Sequence, residues 1–153
     1  MGRGHSHGFL AVGSMGHASS NAPGIALQKP DKTIWRINGD GVALMHMGAM
    51  ALIGKDATEN LVHVVINNEA HELVGGMPTA TDKTDLCGVA AACEYRCCTT
   101  VNDVAALQGE LGKIRTKTGP VFLEVKCDKG ARDDLGRPTS TPGHNKGEFM
   151  GRL

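Results

Sequence analysis

Asn38-Gly39-Asp40-Gly41, then a mostly apolar run, then Leu61-Val-His-Val-Val-Ile66 and Asn67-Asn68: this stretch decides the fold. An acidic residue clasped between two glycines follows one β-rich run, and a pair of carboxamides ends the next. Twenty-five residues, Val42 to Ile66, lie between the two motifs, room for one helix and one returning strand. The two polar tips therefore meet at the same edge of a parallel sheet. There they offer a carboxylate and an amide oxygen to one cation.

Working outward, Thr33-Ile-Trp-Arg-Ile37 reads as the strand that feeds Gly39-Asp40-Gly41. Ala43 to Ile53 is apolar almost all round and predicts one helix, with Met45, Met47 and Met50 in the core. Gly54 to Asn60 reads as a surface loop, and Leu61 to Ile66 as a central strand buried on both faces. On the N-terminal side, Phe9-Leu-Ala-Val12 predicts a short buried strand ended by Gly13-Ser14-Met15-Gly16. A helix follows from an N-cap at Ser19 or Ser20 to Gln28. Pro23 suits it only if its first turn begins near Ala22.

Beyond Asn68, Glu69 to Pro78 has no clear period and contains a Gly75-Gly76 hinge, as function-bearing loops do. Leu86, Val89, Ala90 and Cys93 fall at helical spacing behind Asp82 or Asp85, and Arg96 to Val101 reads as a strand. Asn102 is expected to cap a helix whose Val104, Leu107, Leu111 and Ile114 share one apolar face. Gly119-Pro120 turns into the last strand, Val121 to Cys127. These readings divide the chain into a flexible tail (1–8), one domain (9–127) and a Gly-, Pro- and charge-rich extension (128–153). In that extension Arg132, Arg137 and Lys146 are candidate anion contacts, set against a solvated or partner-docked tail.

Strand–helix alternation of this kind implies an α/β fold: a doubly wound parallel sheet with helices on both faces. In that architecture ligands collect at the carboxyl ends of the strands. Gly13-Ser14, Gly39-Asp40-Gly41 and Asn67-Asn68 all follow predicted strands and belong at that edge.

Composition removes several function classes. Lys+Arg and Asp+Glu balance at 16 each, and the aromatics are one Trp, one Tyr and three Phe. Nucleic-acid binding thus loses both its basic footprint and its stacking platform. No apolar run approaches the roughly 20 residues of a membrane span, and Phe9 to Val12 is too short for a signal-peptide core. Five cysteines, an odd number, favour free thiols and a cytoplasmic setting. Adjacent Cys97 and Cys98 on a strand face opposite sides, which argues against a cysteine metal cluster.

Asp40 and Asn68 are hard oxygen donors of the kind Mg²⁺ takes together with diphosphate oxygens. The flanking Gly39 and Gly41 let the backbone turn tightly and approach phosphates. Competing motifs fail: there is no G-x-x-x-x-G-K-[ST], position 44 is Leu where the dinucleotide fingerprint needs Gly, and Val12-Gly-Ser-Met-Gly16 is not a nucleophile elbow.

The Gly39-Asp40-Gly41 to Asn67-Asn68 unit resembles the diphosphate- and metal-binding motif of thiamine diphosphate-dependent enzymes. Gly13-Ser-Met-Gly-His-Ala-Ser-Ser20, Asn67-Asn-Glu-Ala-His-Glu72, Gly75-Gly-Met-Pro-Thr79 and Gly130-Ala-Arg-Asp-Asp-Leu-Gly-Arg-Pro138 extend the resemblance. They are similar to the decarboxylases of phosphonopyruvate and to the sulfopyruvate decarboxylase β subunit. The resemblance implies that Asp40 and Asn68 hold Mg²⁺ through side chains and Ala70 through its carbonyl. It also implies that Gly13, Ser14 and Met15 contact thiamine diphosphate, with Met15 beneath it, the Gly13 carbonyl accepting from its 4′-amino group and the Met15 N–H donating to its pyrimidine. The implied reaction is loss of carbon dioxide from a 3-substituted pyruvate, phosphonopyruvate first and sulfopyruvate second, with a non-catalytic cofactor-binding module as a third reading.

Enzymes of this type need a Glu on a pyrimidine-binding domain, for which this chain has no residues left over. The expectation is therefore half a site, completed by a pyrimidine-binding domain or subunit in a dimer or higher oligomer. His71, just past the metal ligands, is the candidate catalytic proton relay, with ordering of its loop as the alternative. His46 is expected to be a satisfied core histidine.

Overall fold

A computed structural model of the chain describes residues 7–56, 59–130, 133–136 and 138–153. It falls into two compact units, Gly16–Gly130 and a smaller one formed by Met1–Met15 with Ala131–Leu153. Phe9 to Met15 group with the C-terminal segment in the smaller unit.

The larger unit begins with α1 (Ala18–Gln28) and β1 (Ile34–Gly39). Two short helices, α2 (Asp40–Met45) and α3 (Gly48–Asp56), lead to β2 (Leu61–Asn67). A two-residue hairpin, β3 (Ala70–His71) with β4 (Met77–Pro78), precedes α4 (Leu86–Ala92). Then come β5 (Cys97–Val101), α5 (Val104–Ile114) and β6 (Val121–Lys126). The main sheet is parallel, in the order β1-β2-β6-β5. Helices α1, α3 and α4 cover one face, packing Ala26, Ile53 and Ala90 against Leu61, Val65 and Phe122. Helix α5 covers the other, packing Leu107 and Ile114 against Val62, Val64 and Leu123. Cys98 packs in the first cluster and Cys97 in the second, on opposite sides of the strand as their adjacency requires.

The run Leu61 to Ile66 is central as expected, with only Ile66 exposed. Several sequence expectations are corrected. Helix α1 starts at Ala18, with His17 at the N-cap making no side-chain bond, and Pro23 lies in its interior. Pro23 is buried there and forfeits one backbone hydrogen bond. The helix stops before Pro30, where the Asn60 side-chain amide lies 3.0, 2.9 and 2.8 Å from the carbonyls of Ala26, Lys29 and Lys32 and shares its two protons among them.

The single helix expected over Ala43 to Ile53 is broken at His46-Met47. His46 leaves helical geometry (φ −129°, ψ 42°), and its ring fills the notch left by Gly16, where a Cβ would lie 2.1 Å from Nδ1. His46 is half-buried and its buried Nδ1 lacks a hydrogen-bond partner among the described residues, so it is not a satisfied core histidine. Of the three methionines Met50 is buried, Met47 packs at the core margin and Met45 is exposed. Gly54 to Asp56 belong to α3 rather than a loop, because Gly54 packs against the Cys93 carbonyl. Asp103, not Asn102, caps α5 through Ala106 N–H at 2.8 Å. Val104 and Leu111 stay exposed because the sheet beneath α5 meets only the Leu107–Ile114 side.

In the smaller unit, Phe9 to Val12 form no strand. The Asn145 side chain takes the backbone groups a ladder would have taken: Leu10 N–H donates to its Oδ1 at 2.9 Å and its Nδ2 donates to the Gly8 carbonyl at 2.8 Å. Asn145 sits on α6 (Pro142–Met150), capped by Thr141, where Phe149 pairs with Phe9 at 5.8 Å between ring centroids. Lys146 is exposed on this helix, while Arg132 and Arg137 lie outside the described residues.

A buried polar cluster fixes β1 under α1. Arg36 is 3 % exposed, donates to Ser19 Oγ and meets His63 Nε2. With a permanent donor at Nε2, the His63 proton belongs on Nδ1, 3.0 Å from the Tyr95 hydroxyl. Burial lowers the Arg36 guanidinium to about 10. Burial, and then the neighbouring Arg36 charge, hold His63 well below the ordinary histidine range.

Candidate functional site

Asp40 opens α2 where β1 ends, and Gly39 (φ −80°, ψ 165°) makes the turn between them. The carboxylate therefore sits at the C-terminal edge of the sheet, and it is 2 % exposed. A buried carboxylate needs donors. Two hydroxyls supply them, Thr79 Oγ1 at 2.5 Å and Thr81 Oγ1 at 2.9 Å, both on Oδ2. Among the described residues no Lys, Arg or His forms an ion pair with Asp40. Its Oδ1 takes no hydrogen bond from them either, so it is the atom open to a further ligand.

Thr81 Oγ1 also lies 2.6 Å from Thr79 Oγ1 and 3.1 Å from Asn67 Oδ1. Its single proton serves one acceptor at a time. Asn67, 1 % exposed, donates to Glu124 Oε1 at 2.7 Å, and Glu124 Oε2 accepts from Thr100 Oγ1 at 2.8 Å. A polar chain thus runs from Asp40, the residue after β1, through Thr81 to Asn67 on β2, Glu124 on β6 and Thr100 on β5.

The loop after β2 is set by the two carboxamides. Asn67 Oδ1 accepts Glu69 N–H at 3.0 Å and Asn68 Oδ1 accepts Ala70 N–H at 3.2 Å. Between them Glu69 takes a left-handed conformation (φ 58°), strain of the kind found at functional sites. The Glu69 carbonyl accepts Thr79 N–H at 3.1 Å, which brings the two threonines back over Asp40.

His71 reaches the same turn. A Cβ on Gly41 would lie 2.4 Å from its Cε1, so Gly41 is the seat of the imidazole. The fold brings Gly39, Asp40, Gly41 and His71 together, and joins Asn68 to Ala70. Asp40 is linked to the carboxamide pair through Thr81 and Asn67 rather than directly to Asn68. Gly13 (φ 74°), Ser14 and the half-exposed Met15 belong to the smaller unit. The Cys127 thiol, just past β6, is pushed up by burial first and then by the Asp128, Asp40 and Glu72 carboxylates. No group of three or more His, Cys, Asp or Glu could hold a metal among the described residues. A cation here would rest on one carboxylate plus amide and backbone oxygens.

Sequence reasoning missed Thr79, Thr81, Glu124 and Thr100. The available signals were the Thr79-Ala-Thr81 spacing and the lone acid within Val121-Phe-Leu-Glu-Val125, since a charge inside a buried strand demands partners.

Residues 3–125 match the family model described as thiamine pyrophosphate enzyme, C-terminal TPP binding domain. The chain is 39% identical over 137 residues to a phosphonopyruvate decarboxylase of Streptomyces viridochromogenes, covering 88% of this chain and 34% of that protein. It is 40% identical over 85 residues to a sulfopyruvate decarboxylase subunit beta of Methanococcus maripaludis, covering 56% of this chain and 45% of that subunit. A crystal structure from Mycobacterium smegmatis, described as a thiamin diphosphate-dependent enzyme, superposes with a TM-score of 0.67 at 25% identity, covering 77% of this chain and 23% of that one. The chain spans about a third of the length of the phosphonopyruvate decarboxylases it matches, at 34% and 33%. Among the described residues no helix is long and apolar enough to cross a membrane. With its Gly-Asp-Gly turn and carboxamide pair at one sheet edge, the chain belongs to the C-terminal TPP-binding domain family of thiamine pyrophosphate enzymes.

Proposed function

We propose that this chain is the diphosphate- and Mg²⁺-binding half of a thiamine diphosphate-dependent decarboxylase, acting on phosphonopyruvate to give phosphonoacetaldehyde and carbon dioxide. The observation that carries the reading is the buried Asp40 carboxylate, clamped on Oδ2 by two hydroxyls and open at Oδ1. In this assignment Asp40 and Asn68 hold Mg²⁺ through side-chain oxygens and Ala70 through its carbonyl. Gly39 and Gly41 let the backbone approach the diphosphate, and Gly13, Ser14 and Met15 contact the rest of the cofactor. Thiamine diphosphate, when bound, supplies the electron sink for carboxylate loss.

The chain's own residues position these groups. Thr79 and Thr81 fix the orientation of Asp40, and the left-handed Glu69 aims Asn68 and Ala70. In this reading His71, whose ring lies against Gly41, holds or passes a proton above the Asp40 turn. Both nearby glutamates follow the carboxamide pair, at the diphosphate end of the site in this assignment, and each has a partner. Glu72 Oε1 accepts Gly130 N–H at 2.5 Å, and Glu69 lies 3.9 Å from Lys126 Nζ. In this reading, as the family resemblance implies, a pyrimidine-binding domain or subunit in a dimer or larger oligomer supplies that Glu, in the cytoplasm.

The second reading, a sulfopyruvate decarboxylase β subunit, is favoured by relatives that are themselves separate subunits. Carbon dioxide release from each acid, measured with a pyrimidine-binding partner present, separates the two. We expect turnover of phosphonopyruvate in the complex and negligible turnover by the chain alone. Turnover of sulfopyruvate only would install the second reading. Mg²⁺-dependent cofactor binding with no turnover of either acid would leave a non-catalytic module.

A further inference from the structure

We infer that Cys87 and Cys98 form a redox couple, which a low-molecular-weight disulfide such as glutathione disulfide converts reversibly to a disulfide bond between α4 and β5.

The fold sets the two thiols against each other. Cys98 is the second residue of β5, and by alternation it shares a sheet face with Thr100. On that face Thr100 Oγ1 donates to Glu124 Oε2 at 2.8 Å, and Cys98 packs against the cluster that contains Leu86, Ala90 and Phe122. Helix α4 covers the strand there, with Leu86 and Ala90 fully buried. Cys87, the residue after Leu86, packs against the same cluster. It lies within hydrogen-bond reach of both the Cys98 thiol and the Thr100 hydroxyl. The turn that returns the chain from α4 to β5 is fixed by Tyr95 N–H, which donates to the Ala90 carbonyl at 3.1 Å, and by the left-handed Glu94 (φ 64°). Thiols in such contact need only a small closure to reach the S–S bond length of about 2.05 Å.

The remaining cysteines are placed elsewhere. Cys97 packs on the α5 face of the sheet, Cys93 ends α4 beside Tyr95, and Cys127 follows β6. Chain entropy alone favours joining Cys93 to Cys97 or Cys98, which closes a shorter loop. The fold selects Cys87 instead. Both members of the pair are half-buried, on an edge strand. A cleft opens at the neighbours of Cys87, lined by Asp85, Thr100, Glu124 and Lys126 among others.

Burial raises the Cys87 thiol, hydrogen bonding with Thr100 draws it back, and the Asp85 and Glu124 carboxylates raise it again. Burial first, and then the neighbouring Cys87, push Cys98 up to about 11. Cys87 is therefore the attacking sulfur, and Cys98 keeps its proton until the second step. The Cys87 thiolate attacks one sulfur of glutathione disulfide, forming a mixed disulfide and releasing one glutathione thiolate, which takes up a proton. Cys98 then loses its proton and attacks the Cys87 sulfur, releasing the second glutathione. Two protein thiols are oxidised and one glutathione disulfide is reduced to two thiols. A reduced pair without a stabilised thiolate leans toward the disulfide at equilibrium and reaches it slowly.

The test incubates the full chain with glutathione disulfide, blocks free thiols with iodoacetamide and maps the tryptic peptides by mass spectrometry. Trypsin cuts after Lys83, Arg96 and Lys113, so the crosslink joins two peptides and fragmentation locates it. The Cys87–Cys98 crosslink should exceed any to Cys93 or Cys97 at least roughly tenfold, because only that pair meets the geometric requirement. Dithiothreitol should reverse it, and in urea the preference should give way to the shorter loops. The crosslinked chain should unfold at a higher urea concentration than the reduced one. Cys93→Ala and Cys97→Ala should keep the crosslink, and Cys98→Ser should stop at a glutathione adduct on Cys87. The wild-type map needs no substitution, so a variant that fails to fold does not blunt the test. The redox couple is overturned if the native chain keeps both thiols reduced or carries only separate glutathione adducts on them. It is equally overturned if the native crosslink runs through Cys93 or Cys97, or if urea leaves the pattern unchanged.

Discussion

Thr81→Val deletes one hydroxyl and keeps the shape of the side chain. The lost proton serves Asp40 Oδ2 at 2.9 Å, with Asn67 Oδ1 and Thr79 Oγ1 as competing neighbours at 3.1 and 2.6 Å. Since one proton makes one bond at a time, a single hydrogen bond to a charged acceptor is removed, about 1.5–3 kcal/mol. Asp40 keeps Thr79 and Asn67 keeps Glu69 N–H, so no buried acceptor is left wholly unpaired. The expected loss is about 2 kcal/mol, seen as a lower urea midpoint at unchanged slope. In a domain of this size that lowers Tm by about 4–8 °C. Thr81→Ser, which keeps the hydroxyl, should recover most of it. A Thr81→Val chain within about 0.5 kcal/mol of wild type would refute the clamp as the reason Asp40 tolerates burial.

Other substitutions probe the rest of the fold. Gly54→Ala places a Cβ 1.5 Å from the Cys93 carbonyl oxygen, forcing α3 away from the end of α4; a loss of about 2–4 kcal/mol is expected in denaturant titration. Gly109→Ala, on the open side of α5, should stabilise by about 0.5–1 kcal/mol in the same experiment. Gly41→Ala would displace the His71 ring, 2.4 Å away, and the His71 side-chain NMR shifts should change while the global fold persists. The folded-state pKa of His63 lies below its ordinary 6.5, so in acid the unfolded chain binds the extra proton. Stability should therefore fall below pH 6.5 by up to about 1.4 kcal/mol per unit, until the folded-state value is reached. His63→Gln should flatten that dependence, and an unchanged slope would remove His63 from the account.

Strong periodicity was legible in the sequence. The β-branched run at Leu61 to Ile66 became the central strand, and the two polar tips came to one sheet edge, because local pattern and burial agree there. What stayed hidden depends on contacts distant in sequence. The helix break at His46 needs the Gly16 notch, some thirty residues upstream. The hydroxyls over Asp40 arrive from a loop whose path depends on the left-handed Glu69. Phe9 to Val12 has the composition of a strand but lacks a ladder, since a strand exists only with a neighbour to pair with.

The central claim, a Mg²⁺–diphosphate site on Asp40, is tested most directly by calorimetric titration of thiamine diphosphate into the full chain with its pyrimidine-binding partner, with Mg²⁺ and then with EDTA. The account predicts saturable binding that needs Mg²⁺ and disappears in Asp40→Ala while the fold survives. Binding that persists undiminished in EDTA, or in Asp40→Ala, would contradict it.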